Sequence, residues 1–462
     1  MSILPPFEHQ KVTSKFLVDH ERAIVTSDPG TGKTRSVADA FAEVRRTIAP
    51  GDRMLVLAPL SILEVSWADD LKKFQPNLTF GYCVAGDREE AFQSTCDVVI
   101  ANHDGVKWID AQLKKSPKLL DGFDTLCIDE FTAFKNKDSA RSKACLRIAQ
   151  KFSRRWILSG TPNSNTILDV WHPTLICDDG KRLGSRFYSF RSNVCTSRHN
   201  GFGVEWRDKP EATDIVAAAL SDISIRYALE ECITMPERVL STRLVKLAPK
   251  VRAMYKQLMD DAVIYANSQV ALNVIHASAK IKKFLQLCTG AVYDAEGNVL
   301  NIHGDRYDFI MDLVAERKHS LVAFNWTHER DAMVAIAERD KIPYGVIDGS
   351  VSAARRTEVV NAMQKGDLQV VFAHPQSAGH GLTLTRATST IWASPTYNAE
   401  HYKQFNGRTY RAGQRQRTEI IHVAAEGTLE EVVYDKLTTK LERMEDLLMT
   451  LKTLHTMSTG NP

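Results

Sequence analysis

SDPGTGKT, residues Ser27 to Thr34, follows the apolar run Ala23-Ile24-Val25 and opens a segment with helical spacing (Val37, Ala38, Phe41, Ala42, Val44). A strand feeding a glycine turn into a helix N-terminus makes an anion site. Successive backbone N–H groups point inward, and the helix dipole adds about half a positive charge. Gly30 and Gly32 can take backbone angles that a Cβ would forbid. Asp28, Pro29, Gly30, Thr31 and Gly32 then form the phosphate cradle of a nucleotide site. Lys33 is placed to reach the β- and γ-phosphates, and the Thr34 hydroxyl to ligate Mg²⁺. The strict pattern has glycine where this chain has Ser27, but Ser27 and Asp28 can still turn.

The chain has 462 residues, enough for two or three domains. Its 44% hydrophobic and 25% charged content is that of an ordinary globular protein. A net charge of +3 is only mildly basic, so nucleic-acid binding must come from local patches. No apolar run approaches the roughly 18 residues a membrane span needs. The first residues, MSILPPFEHQ, lack a charged-then-apolar signal. The eight cysteines form no C-x-x-C, so no structural metal is expected, and several read as small core residues. The expectation is a reduced, cytoplasmic protein that is not secreted, or one at the host nucleoid if it is viral.

Gln10 stands just upstream of the first strand, where its amide can read an adenine edge by donating and accepting together. Apolar runs then alternate with helical patterns: 54–59, 79–85, 98–101, 125–129 and 155–159 as strands, with 61–74 and 139–152 among the helices. Buried strands alternating with helices predict a parallel sheet with both faces covered, its ligands at the carboxyl ends of the strands. Asp129-Glu130 ends one such strand. Downstream of a phosphate loop this acidic pair is a Walker-B arrangement, with Asp129 for Mg²⁺ and Glu130 to orient and deprotonate the attacking water. Ser159 and Thr161 end the next strand, where small hydroxyls can relay the state of the γ-phosphate.

From about 163 to 304 the alternation is lost, and helical stretches dominate (211–220, 249–287). It resumes through 321–324, 344–347, 368–372, 390–393 and 419–423, a second α/β unit with no phosphate loop of its own. Arg408 and Arg411, three apart on a predicted helix, share a face suited to reach a γ-phosphate as arginine fingers. Leu437, Leu441, Met444, Leu448 and Leu451 form a heptad-like seam, read as a brace on the protein's own body.

Assembled, these residues resemble the superfamily-two helicases and, within them, the Swi/Snf-type DNA translocases, over about 7–440 and in the family's motif order. SDPGTGKT is similar to motif I, LAPLSILEVSW (57–67) to Ia, VVIANHDGV (98–106) to Ib, IDEFTAFKNKDSARSKA (128–144) to II and LSGTPNSN (158–165) to III. VAFNW (322–326) is similar to motif IV, SAGHGLTLTRA (377–387) to V and QFNGRTYRAGQ (404–414) to VI.

The resemblance implies an α/β fold of two tandem RecA-like parallel-sheet lobes with a helical insertion and connector between them. Its expected segments are lobe 1 at 1–165, the insertion at 166–304, lobe 2 at 305–427 and a helical brace at 428–462. It implies an ATP- and Mg²⁺-dependent DNA translocase or helicase, a monomeric motor gripping double-stranded or branched DNA without regard to sequence. Work on branched DNA in replication, recombination or repair is compatible with so compact a motor. Gly381 joins the ATP contacts. Ser61, Asn102, His103, Lys135, Asn325 and Thr383 become candidate DNA contacts, and Thr132 with Gln404 a coupling pair. Thr132 stands where the family has histidine, so any such link runs through a shorter hydroxyl. The alternatives are a nucleotide-gated DNA clamp that does not translocate, and a helicase stimulated by RNA.

Overall fold

The computed structural model describes residues 5–84, 88–163, 166–199, 204–267, 274–294, 296–378 and 382–442, with only the backbone described for Ser61, Val65, Glu205, 259–267 and 274–280. The chain divides into two compact units, one built mainly from Met1–Arg198 and Trp206–Thr234 and the other mainly from Met235–Lys440.

In the first unit the strands are β1 (Arg22–Val25), β2 (Arg53–Ala58), β3 (Phe80–Cys83), β4 (Val98–Asn102), β5 (Phe123–Asp129) and β6 (Arg154–Leu158). After the two-stranded sheet of β7 (Cys195–His199) and β8 (Val204–Asp208), β9 (Ser224–Ile225) completes a seven-stranded sheet of order β3-β4-β2-β5-β6-β1-β9. Every pairing in that sheet is parallel. Successive side chains of a strand face opposite sides, and the two core clusters follow that period. Leu55, Leu57, Leu126, Ile128 and Ile157 lie in one, and Met54, Val56, Ala58, Cys127, Trp156 and Leu158 in the other. Both faces are covered, which is why the strands read as unbroken apolar runs.

Register then aligns the strand ends. Val25 pairs with Leu158 and Ile225, Leu158 with Asp129, and Ala58 with Asn102. The residues that follow these ends, Thr26, Ser159, Glu130 and Arg226, are therefore brought to one edge of the sheet.

The second unit holds β10 (Arg238–Val245), the small hairpin β11 (Ala291–Tyr293) and β12 (Val299–Asn301), then β13 (Ser320–Ala323), β14 (Tyr344–Ile347), β15 (Val370–Ala373), β16 (Ser389–Trp392) and β17 (Thr418–Ala425). Its parallel sheet runs β10-β17-β16-β13-β15-β14. Val322, Phe372, Ile391, Ile421 and Val423 sit in its core. Residues 429–442 are helical and pack on this unit through Val433, Tyr434 and Leu437. There the Glu430 carboxylate, fully buried, pairs with the buried Arg306 guanidinium.

The two parallel-sheet lobes are as expected from the sequence, and the stretch 166–304 contributes to both sheets. It gives β9 to the first sheet and β10 to the second, along with the helices Trp171–Asp178, Ala212–Leu220, Pro249–Asn267 and Val274–Cys288. Of the C-terminal seam, Met444, Leu448 and Leu451 lie outside the described residues. Among the described residues no helix is long and apolar enough to cross a membrane, and no cluster of His, Cys, Asp and Glu could hold a metal. Seven of the eight cysteines are buried, and burial pushes the Cys83 and Cys177 thiols up to about 12.

Candidate ATP-hydrolysis site

The phosphate loop runs from β1 into the helix Lys33–Thr47. Gly32 caps that helix at φ +79, and a Cβ there would stand 2.2 Å from Gln10 Nε2, so both conformation and space require glycine. Gln10 is buried; its Nε2 donates to Thr31 O at 3.2 Å and its Oε1 accepts from Phe7 N at 3.0 Å. One amide N–H and one lone pair remain for a base edge. His9 Nε2 donates to the same Thr31 carbonyl at 2.8 Å. Lys33 Nζ donates to the carbonyls of Ser27 (2.7 Å) and Asp28 (3.2 Å). Pro29 packs on the next strand's loop: a Cβ on Gly160 would come within 2.8 Å of Pro29 Cδ.

Asp129 and Glu130 follow from β5. The Asp129 carboxylate accepts from Trp67 Nε1 at 2.9 Å and from Glu130 N at 3.0 Å. Burial pushes its carboxyl above the usual range, while the Lys33 ammonium, the indole and the Glu130 N–H pull it back toward the charged form. Thr34 Oγ1 lies 3.2 Å from Ser66 Oγ. A hydroxyl and a desolvated carboxylate held beside the phosphate loop are the oxygen donors that Mg²⁺ accepts, so these residues fit the ion.

Glu130 takes a left-handed conformation, φ +51, uncommon without glycine. Its Oε2 accepts from Ser159 Oγ at 3.1 Å, and Thr161 N donates to that hydroxyl at 3.1 Å. Ser159 and Thr161 are both buried. The two expected relay residues therefore hold the candidate base itself.

Several candidates stand elsewhere than the sequence suggested. His103, expected on a nucleic-acid face, is buried; its Nε2 donates to Asp129 O at 2.8 Å and its ring lies edge-on to Phe134. Burial pushes its pKa down to about 4, so the ring is neutral. The polypeptide turns there to bring the imidazole under the acid rather than outward. Lys135 is held by Asp169 at 3.3 Å. Asn102 Oδ1 is buried without a partner among the described residues. The Ser61 side chain and Gly381 lie outside what the structure describes. Thr132 is buried in the turn Phe131–Phe134.

In the second unit, Asn325 Nδ2 donates to Ser394 Oγ (2.9 Å) and to the carbonyls of Ser394 and Pro395, binding two loops of its own lobe. Thr383 is half-buried. Arg408 and Arg411 do not lie on a helix: Ala399–Asn406 ends before them, at Gly407. They still converge, because Arg408 Nη1 and Arg411 Nη1 donate to the same carbonyl, Leu382 O, at 3.1 and 2.9 Å. Gln404 is buried, with Nε2 to Glu400 at 3.3 Å and Oε1 without a partner among the described residues.

Ser66, Trp67, Arg226 and Tyr227 carry no role in the sequence reading. Ser66 and Trp67 lie on a π-helical turn, Leu63–Ala68, a form frequent at functional sites. An indole among apolar neighbours carries no sequence signal that its N–H meets a carboxylate 62 residues away.

The chain matches two family models, SNF2-related domain over residues 9–289 and Helicase conserved C-terminal domain over 305–413. It is 28% identical to protein p41 of Acyrthosiphon pisum secondary endosymbiont phage 1, over 97% of this chain and 99% of that one. It is 24% identical to SWI/SNF-related matrix-associated actin-dependent regulator of chromatin subfamily A-like protein 1 of Xenopus tropicalis, and 26% identical to DNA annealing helicase and endonuclease ZRANB3 of Bos taurus. It spans only 44% and 40% of the length of these two. Among solved structures, the Sulfolobus solfataricus SWI2/SNF2 ATPase core in complex with dsDNA is similar with a TM-score of 0.44 at 19% identity, covering 97% of this chain and 95% of that one.

Proposed function

We propose, from the premise that the chain belongs to the family of the SNF2-related domain, that it couples ATP hydrolysis between its two lobes to movement along DNA. It is an ATP hydrolase of the DNA-dependent ATPase and helicase class. The observation that carries the mechanism is the strand register that sets Val25, Leu158 and Asp129 side by side, so that phosphate loop, acid pair and relay hydroxyls share one edge.

In this reading Lys33 exchanges the carbonyls of Ser27 and Asp28 for the β- and γ-phosphates. Thr34 and Asp129 would hold Mg²⁺, which would supply positive charge beside the phosphates. Glu130, fixed by Ser159 and its own left-handed turn, orients the attacking water and takes its proton. Arg408 and Arg411 supply the transition-state charge from the second lobe, worth roughly 10³–10⁵ in rate. Duplex or branched DNA is held through phosphates, near Asn102 and Thr383, so its affinity falls steeply with salt. A role on branched DNA draws support from the relative named as a DNA annealing helicase.

The test is the ATPase rate with single-stranded, duplex, forked and four-way DNA and with RNA, joined to triplex displacement on duplex. Stimulation by DNA with displacement is expected. DNA-stimulated hydrolysis without displacement or unwinding would favour a clamp, and strongest stimulation by RNA would overturn the assignment to DNA.

A further inference from the structure

The phosphate loop departs from the strict pattern at Ser27, and a distant segment is tied to it there and at Asp28. Beyond β9, Arg226 Nη1 donates to Thr26 O at 2.8 Å and to Asp28 Oδ1 at 3.4 Å. Tyr227 N donates to Ser27 Oγ at 3.0 Å, Leu229 N to Asp28 Oδ2 at 3.2 Å, and Asp28 N back to Tyr227 O at 3.0 Å. The Tyr227 ring lies 5.7 Å from that of His9, beside Gln10. This strap therefore touches the phosphate end of the site and the residues next to its base end. Six residues past Leu229 the chain enters the second unit at Met235.

Arg226 is 7% exposed, and its Nε has no partner among the described residues. Arg226 and Tyr227 between them hold Asp28 and Ser27, the two residues whose carbonyls receive Lys33. Glycine at 27 would lack the hydroxyl that receives Tyr227 N.

We infer that Arg226 is a positioning residue that couples the phosphate loop to the connector leading into the second lobe, an inference that rests on the motor reading above. Lys33 supplies the switch. When its ammonium turns to a triphosphate, it leaves the carbonyls of the residues whose side chains hold the strap, and a shift there passes through four hydrogen bonds into a segment that exits the lobe. An element with two arrangements, biased from one site and fastened to the other, is what coupling between sites requires.

The test uses the full chain with Arg226→Met, which keeps the apolar stem, and Arg226→Lys. Duplex displaced per ATP hydrolysed should fall at least about fivefold in Arg226→Met, the low end for coupling between sites. The KM for ATP should stay within about threefold of wild type, and Arg226→Lys should recover part of the loss. Ser27→Ala, which removes only the acceptor for Tyr227 N, should shift the ratio in the same direction and serves if Arg226→Met does not fold in thermal unfolding. An unchanged ratio in a folded variant overturns the inference. So does a raised KM with hydrolysis and displacement reduced equally, which is the signature of simple bracing. If the wild type itself shows no DNA-stimulated hydrolysis, the motor reading fails first and the coupling falls with it.

Discussion

Trp67→Phe isolates one hydrogen bond of the site. Trp67 is fully buried, and its indole N–H meets Asp129 Oδ2 at 2.9 Å. Phenylalanine keeps most of the apolar bulk and removes the donor. A hydrogen bond to a charged group is worth about 1.5–3 kcal/mol, and one pKa unit corresponds to about 1.4 kcal/mol. Burial already pushes the Asp129 carboxyl up, and the indole is one of the groups restraining it. Without that bond its pKa should rise further. The carboxylate that Mg²⁺ needs then forms only at higher pH. The acid limb of kcat/KM for ATP hydrolysis, followed from pH 5 to 8, should move up by about one unit. The apparent Mg²⁺ requirement should rise more at pH 6 than at pH 8. Lost packing lowers stability by roughly 1–3 kcal/mol but scales the rate equally at every pH. An acid limb that superposes on the wild-type limb, with only a uniform drop in rate, would refute the reasoning.

Lys33→Ala should abolish hydrolysis while circular dichroism shows the fold retained, with the bonds to the Ser27 and Asp28 carbonyls and the charge beside Asp129 lost. Gly160→Ala drives a Cβ to within 2.8 Å of Pro29 Cδ, in a rigid ring. It should cost roughly 1–3 kcal/mol in thermal unfolding and raise the KM for ATP, because the strain lands on the phosphate loop. Glu329 in the second lobe is buried, which raises its pKa from 4.5 to about 7 against hydrogen bonds from Asn325 N, Trp326 N and Ser394 Oγ. Because its folded pKa is the higher one, stability falls as pH rises from about 4.5 to 7 and is level above, by up to roughly 3 kcal/mol. Glu329→Gln should flatten that part of the melting profile, and an unchanged slope would contradict it.

The sheets were legible because parallel strands covered on both faces must be apolar throughout, as Met54–Ala58 and Val98–Ala101 are. What escaped was what that rule does not cover. β9 is two residues long. β10 is an edge strand whose Leu240 and Leu244 are exposed, and Ser241, Thr242 and Arg243 interrupt it, so Arg238–Val245 shows no continuous apolar run. The reading of Arg408 and Arg411 as helical neighbours carried the 3.6-residue period past Gly407, where the chain turns. Their convergence comes from a shared carbonyl, Leu382 O, which no periodicity encodes.

The chemistry of the site was legible where it is local: glycine turn, lysine, hydroxyl and acid pair keep short spacings in the chain. Their supports were not, because register supplies them. A histidine just past a strand end can face outward or inward, and at His103 only the pairing of β4 with β2 decides. That pairing sets the imidazole on Asp129 O, so the peptide joining Asp129 to Glu130 is held at its carbonyl by His103 and at its N–H by the Asp129 carboxylate. Ser159 holds the far end of Glu130. A strained left-handed residue persists only where its surroundings over-determine it, and here three elements do so. One of them adjoins a motif proposed to meet DNA, since Asn102 precedes His103, and Trp67, which ends motif Ia, donates to the Asp129 carboxylate. In the proposed motor, a phosphate gripped at Asn102 acts one residue from the group that sets the carbonyl of the Mg²⁺-binding aspartate, so DNA needs no long path to reach the hydrolytic base.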